Sequence, residues 1–290
     1  MSVTYQQILD SKKYSEQVLL RDWTTLKAES ASENKRKFCG NKFLYHFQID
    51  NLCRTKTANG TSLFDIMSDE TLYAKLHKNM QSLKRTGSEA EKMLEAWRIN
   101  GAVVFFKPFT AKYLYSFFKA THVLDPTAGW GGRMLGAIAL GISYTGIDTN
   151  LALKKPYEDM LALLHKENPK VKMYWESCLE VDFSKIDYGY VLTSPPYITL
   201  EIYEGMTPFE SKNAFYKQFL IPLLNKCRQN IKRDGITSFN ISPAMYADLI
   251  TNGYEEAHQQ IDLVQQTRFG KHRSDKIYCW RPLTGASTAS

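Results

Sequence analysis

The most specific chemistry in the sequence lies in the run Ser194-Pro195-Pro196-Tyr197. Two prolines stiffen the backbone and remove two N–H donors, leaving carbonyl oxygens to point outward as acceptors. A hydroxyl precedes them and an aromatic ring follows. This suits an amine whose lone pair is delocalised into a heterocycle, such as a nucleic-acid base turned out of its helix. The Ser194 side chain and the Pro195 carbonyl can accept its two N–H bonds, while the Tyr197 ring stacks on the heterocycle.

A second run is Val123-Leu124-Asp125-Pro126-Thr127-Ala128-Gly129-Trp130-Gly131-Gly132-Arg133. An apolar stretch ends in a carboxylate and turns through glycines into a helix. Glycines let the backbone approach a ligand closely, and the helix start offers free N–H groups. A dinucleotide site uses the same device. Counting from Gly129 or Gly131, however, no glycine stands third in a G-x-G-x-x-G pattern. Asp125 would also repel a pyrophosphate, whereas it suits a cation such as the amino group of a methionine moiety. The third run, Tyr144-Thr145-Gly146-Ile147-Asp148, ends in an acid about 20 positions further on, where a ribose-binding carboxylate sits. Asp148 fits a dinucleotide and S-adenosylmethionine equally well.

These residues need a frame. Apolar runs at 123–125, 144–147, 171–174, 190–193 and 236–241 read as strands, separated by helices over 133–140, 153–166 and 212–231. Two closing strands, 263–268 and 276–281, flank a polar loop at 270–275 and would form an antiparallel edge. The alternation predicts an α/β fold with a doubly wound, mostly parallel sheet. Residues 1–100 read as a mainly helical region, with helices over 14–28, 72–83 and 88–99. Ser88 and Glu91 form a capping-box pattern, and Asn59-Gly60 marks a turn. Residues 101–283 form the second unit, and 284–290 a disordered tail.

With these motifs on view, the sequence resembles the S-adenosylmethionine-dependent amino-methyltransferases that make N6-methyladenine or N4-methylcytosine. The run through the acceptor motif is also similar to DNA methylases carried by phages and large viruses, with or without a restriction nuclease. The resemblance rests on residues 194–197 as acceptor motif and residues 125–132 as cofactor motif, with Gly129 at the central glycine. Phe105-Phe106-Lys107-Pro108-Phe109 matches the cofactor-contacting segment before the first strand. It spans residues 101–283 and leaves the first hundred unmatched.

The resemblance implies a Rossmann-like methyltransferase fold with S-adenosylmethionine as cofactor. It assigns the cofactor to Phe106, Lys107, Pro108, Asp125, Thr127, Gly129, Gly131 and Asp148, with Ser177 and Cys178 near the adenine ring. The acid usual there is missing, and Glu176 is its neighbour. Ser194, Pro195, Pro196 and Tyr197 would be catalytic, and double-stranded DNA the partner. Serine heading the acceptor motif is commoner among N4-cytosine members, while a leading cofactor motif is commoner among N6-adenine members. The target base stays open. The rivals are an RNA base amino-methyltransferase, a catalytically silent nucleic-acid-binding subunit and a nicotinamide oxidoreductase.

Composition agrees without deciding. Lys and Arg number 37 against 30 Asp and Glu, giving +7, a balance compatible with a polyanion. Lys271, His272 and Arg273, between the last two strands, are candidate phosphate contacts, and Lys35-Arg36-Lys37-Phe38 is a second basic cluster. Glu201 and Glu204 read as a loop or helix start rather than a general base. Five cysteines without a C-x-x-C pair predict reduced thiols in an intracellular protein, and six histidines without ligand spacing predict no metal. Neither a membrane span nor a signal peptide is predicted.

Overall fold

Several helices in the first hundred residues begin at a side chain that caps them, Thr4, Ser62, Asp69 and Ser88. The computed structural model describes residues 3–31, 38–57, 60–99, 105–167, 169–196, 201–202, 209–266 and 272–283 of the 290. It opens with α1 (Tyr5–Asp10), α2 (Glu16–Ala28), α3 (Asn41–Arg54), strand β1 (Lys56–Thr57), α4 (Leu63–Ser68), α5 (Glu70–Gln81) and α6 (Glu89–Ile99). Thr4 with Gln7 and Ser62 with Asp65 form capping boxes. Ser88 does the same for α6: its hydroxyl accepts the Glu91 N–H, and Glu91 accepts the Ser88 N–H, both at 3.2 Å.

Helix α7 (Pro108–Phe117) begins on a proline, which presets φ for a first helical turn. There follow β2 (His122–Asp125), α8 (Gly132–Ala139), β3 (Ser143–Ile147), α9 (Lys154–Leu163), β4 (Val171–Tyr174), β5 (Tyr190–Thr193) and β6 (Glu201–Ile202). Then come α10 (Lys212–Phe215), α11 (Ile221–Gln229), β7 (Ile236–Ile241), α12 (Pro243–Thr251), β8 (Gln259–Gln266) and β9 (His272–Trp280). The helix expected over 212–231 is interrupted by a π turn, Tyr216–Leu220, between α10 and α11.

Seven strands lie in the order β4-β3-β2-β5-β7-β9-β8. All pairs from β4 to β7 are parallel, and β9 runs against both neighbours. The fold is therefore α/β and doubly wound, as expected. The reversed strand is not the outermost one: β9 is inserted between β7 and β8. A short antiparallel pair, Lys56 opposite Ile202, joins β1 to β6.

The strands alternate strictly between two cores. Val123, Tyr144, Tyr190, Leu192, Ile277 and Cys279 face one side, while Leu124, Ile147, Val191, Phe239, Tyr278 and Trp280 face the other. The first core is continuous with the buried residues of α2, α3, α5 and α6. Polar contacts cross the same boundary. Lys112 donates to the carbonyls of Leu26, Lys27 and Glu29 at 2.7–2.8 Å, closing the C-terminal end of α2.

The closing strands are longer than expected. His272 pairs with Gln266 and Arg273 with Gln265, so these two residues extend β9 instead of standing in a loop. No helix among the described residues is long and apolar enough to cross a membrane.

Candidate functional site

In an open α/β sheet, ligands bind beyond the carboxyl ends of the strands where the strand order reverses. Here that point lies between β2 and β5: the chain leaves β2 for β3 on one side, and β5 continues to β7 on the other. The glycine turn follows β2, Asp148 follows β3, and Ser194 follows β5. Three motifs far apart in sequence thus share one edge.

Their contacts are direct. The Thr127 hydroxyl donates to the Ser194 carbonyl at 3.0 Å and stands 2.6 Å from the Thr193 hydroxyl. Thr193 Oγ1 in turn lies 3.1 Å from Asp125 Oδ1. The Ser194 hydroxyl reaches the Asn240 carbonyl on β7 at 3.4 Å. Pro195 is buried and Pro196 partly so, whereas Tyr197 lies outside the described residues.

Asp125 does not face the ligand edge as an open carboxylate. It is 0% exposed, and its Oδ2 accepts from Arg133 Nε at 2.6 Å and from the Tyr144 hydroxyl at 2.7 Å. The carboxylate forms an internal ion pair, because the first turn of α8 delivers an arginine directly beneath the strand end. Burial works against the Arg133 charge, but the adjacent Asp125 more than offsets this and holds the guanidinium in its charged form. Tyr115 anchors the same turn by donating to the Arg133 carbonyl at 3.1 Å.

Asp148 keeps partial exposure at the edge. Its Oδ2 accepts the Gly129 N–H at 2.7 Å and its Oδ1 the Asn150 N–H at 2.9 Å. Burial raises its pKa, and these two N–H bonds pull it back only in part. Tyr157 donates to the carbonyls of Ala128 and Gly129, at 3.2 and 3.0 Å, and so fixes the turn from beneath. Gly129 and Gly131 both take positive φ, +58° and +90°. A Cβ on Gly129 would meet the Thr127 carbonyl at 3.9 Å and Arg133 Nη2 at 4.0 Å, both ordinary contacts, so its φ rather than crowding favours glycine.

The Phe106 segment closes the site from the side. Its carbonyl oxygen would lie 1.9 Å from a Cβ on Gly132, so glycine alone permits this approach. Its ring lies 5.3 Å from the Arg133 guanidinium, and Phe105 meets Trp130 edge-on at 5.7 Å. Gly132→Ala is expected to push residues 105–107 off the turn. Overpacking of this kind costs about 1–3 kcal/mol, measurable as a fall in the urea midpoint. Lys107 lies 4.5 Å over the exposed Phe38 ring, and Pro108 is buried as the first residue of α7.

Ser177 and Cys178 lie after β4, but the Cys178 side chain is only 5% exposed and belongs to the second core. Burial pushes its thiol up to about 12, which disfavours the thiolate form. The Ser177 hydroxyl is bent back to accept the Leu179 N–H at 3.3 Å. Glu176, just before Ser177, is exposed. Lys271, residues 35–37 and Glu204 lie outside the described residues, and of His272, Arg273 and Glu201 only the strand backbone is described. Among the described residues, no group of three His, Cys, Asp or Glu could hold a metal ion.

Arg133, Tyr144, Tyr157 and Thr193 were not singled out from the sequence. The available signal was a polar residue inside a wholly apolar element: Arg133 in α8, whose residues from Gly132 to Ile138 are all buried, and Thr193 closing a fully buried strand.

Together these observations define an open, doubly wound α/β protein whose candidate site is the carboxyl end of β2, β3 and β5. No family model and no curated protein matches the chain. Among solved structures, TrmN from Thermus thermophilus is similar at 13% identity over 72% of this chain and 78% of that one, with a TM-score of 0.44. An rRNA methylase from Streptococcus thermophilus is similar at 10% identity over 62% and 100%, TM-score 0.41. An RNA methyltransferase from Salinibacter ruber in complex with S-adenosyl-L-homocysteine is similar at 16% identity over 61% and 92%, TM-score 0.40. At these TM-scores the likenesses decide nothing about this chain.

Proposed function

We propose that the chain is an S-adenosylmethionine-dependent methyltransferase that modifies the exocyclic amine of a nucleic-acid base, N6 of adenine or N4 of cytosine in DNA. The observation that carries this reading is the bond from Thr127 to the Ser194 carbonyl, which joins the cofactor-type turn to the acceptor motif across the switch point. A methyl donor and an amine held on these two elements would be neighbours, and proximity alone supplies much of the rate in such a transfer. DNA is proposed on the strength of the acceptor motif.

The residues fit the nucleoside half of the cofactor. Asp148 stands partly exposed at the edge with carboxylate oxygens suited to ribose hydroxyls, beside the positive-φ turn at Gly129. Asp125 does not fit the amino-acid half, since its charge is spent on Arg133. Bound S-adenosylmethionine supplies an electrophilic methyl group. The chain's own part is to orient the amine: the Ser194 hydroxyl and Pro195 carbonyl accept its hydrogens, and the Tyr197 ring holds the extruded base. The proton is lost to water after transfer.

Titration with S-adenosylhomocysteine and with NAD tests the cofactor class. Binding of the first and not the second supports the reading, and the converse outcome makes the protein an oxidoreductase. A pH profile tests Asp148. Its raised pKa means that it takes up a proton above the usual aspartate value of about 3.9, weakening it as an acceptor. Affinity for S-adenosylhomocysteine is expected to be full above that raised pKa and to fall as pH drops through it. Asp148→Asn should flatten the profile. Stability of the free chain moves the other way: the Asp148 contribution is fully present below its unfolded pKa and lost as pH rises through the folded one. Opposite slopes separate loss of binding from unfolding.

A further inference from the structure

Two hydroxyl hydrogens serve three contacts between Asp125 and the acceptor motif. Thr193 Oγ1 lies 3.1 Å from Asp125 Oδ1 and 2.6 Å from Thr127 Oγ1, and Thr127 Oγ1 lies 3.0 Å from the Ser194 carbonyl. Each threonine hydroxyl has a single hydrogen to donate. In one arrangement Thr193 donates to Asp125 and Thr127 donates to Thr193, which releases the Ser194 carbonyl from Thr127. In the other, Thr193 donates to Thr127 and Thr127 donates to Ser194, leaving Asp125 to Arg133 and Tyr144 alone. No heavy atom needs to move between the two, since only the O–H bonds turn.

The relay runs through the interior. Thr193 is 0% exposed, as is Asp125, while Thr127 is half-buried at the turn. In such surroundings each hydrogen bond carries more weight than in water, and neighbours in a chain polarise one another. A group that takes the Thr127 hydrogen at the turn takes it from Ser194. A group that takes up the Ser194 carbonyl biases the chain back toward Asp125.

Building on the methyltransferase reading, we propose that Thr127 and Thr193 are positioning residues that couple occupation of the cofactor turn to the placement of the acceptor motif. Thr193 touches no substrate and acts through Thr127 and Ser194. Binding of the two ligands is then cooperative, and the coupling is reciprocal.

The test measures affinity for whichever unmodified nucleic acid takes up label in the transfer assay, duplex DNA or RNA, with and without S-adenosylhomocysteine. The wild-type chain is expected to bind roughly 5-fold or more tighter with it. Thr193→Val, which keeps the shape and loses the hydroxyl, should abolish that difference and lower kcat about tenfold, with affinity for S-adenosylhomocysteine nearly unchanged. Thr193→Ser should restore both. If Thr193→Val does not fold, Thr127→Val at the half-buried end should likewise abolish the coupling and lower kcat. Affinity for S-adenosylhomocysteine is then expected to fall as well, because Thr127 stands on the cofactor turn. Unchanged coupling and kcat in the folded valine variant overturn the proposal. So does a serine variant as impaired as valine, which would make the role merely structural. A wild-type chain that methylates without coupling overturns this inference alone, whereas one that never binds S-adenosylhomocysteine brings down the function reading as well.

Discussion

Arg133→Met is expected to destabilise the protein by about 3–5 kcal/mol, because it strips the counter-charge from a buried carboxylate. Asp125 is fully enclosed and Arg133 nearly so, with Nε and Oδ2 2.6 Å apart. Without the guanidinium, the hydroxyls of Tyr144 and Thr193 are left as neutral partners for a carboxylate that is 0% exposed. Arg133 also lies against Phe106, so the flank of the site loosens with it. For a chain of this size, melting should fall by roughly 10 °C. Adding Asp125→Asn should return part of the loss, since a neutral amide costs less to bury than an unpaired carboxylate. A shift of only a degree or two in Arg133→Met would show that the pair contributes little. The double variant then separates charge from packing: no recovery would assign the loss to shape alone.

The second large effect is expected at the acceptor motif. Ser194→Ala removes one of two acceptors proposed for the amine and should lower kcat on the order of a hundredfold, as loss of one preorganised polar contact does elsewhere. Tyr197→Ala removes the stacking ring, a contact of about 1–3 kcal/mol per base, and should weaken nucleic-acid binding as well as transfer. In neither variant should S-adenosylhomocysteine affinity change, because Asp148 and the glycine turn are untouched. Full transfer activity in both would remove the acceptor role from this motif.

Much of this frame was legible in the sequence for a simple reason. The strands at 171–174, 190–193 and 236–241 are short apolar runs bounded by turns, and they fold with those limits. The helices α7 and α3 were not legible. Residues Pro108 to Tyr115 of α7 are all buried, so no polar face betrays a helical period. In α3, Tyr45 and Phe47 pack partly against the core alongside the buried Phe43, Leu44, Ile49 and Leu52, which blurs the period in the same way. Nor could pattern assign β9 to its place between β7 and β8, because that follows from pairing across the sheet.

The site divides similarly. Glycine spacing and the position of Asp148 pointed to the edge of the sheet where the motifs after β2, β3 and β5 meet. The fate of Asp125 depended on an arginine one helical turn beyond the glycines, and that pairing is decided only when α8 packs on β2. Thr193 read as one more strand residue. Its importance comes from two neighbours, Asp125 and Thr127, brought to it from another strand.

The most direct test of methyl transfer is to incubate the protein with isotopically labelled S-adenosylmethionine and unmodified genomic DNA, with RNA in parallel. Digestion to nucleosides and identification of the product by mass follow. The account predicts labelled N6-methyldeoxyadenosine or N4-methyldeoxycytidine, which would also name the target base. Label in RNA alone would contradict the DNA assignment, and no label in either would contradict the central claim that this edge transfers a methyl group.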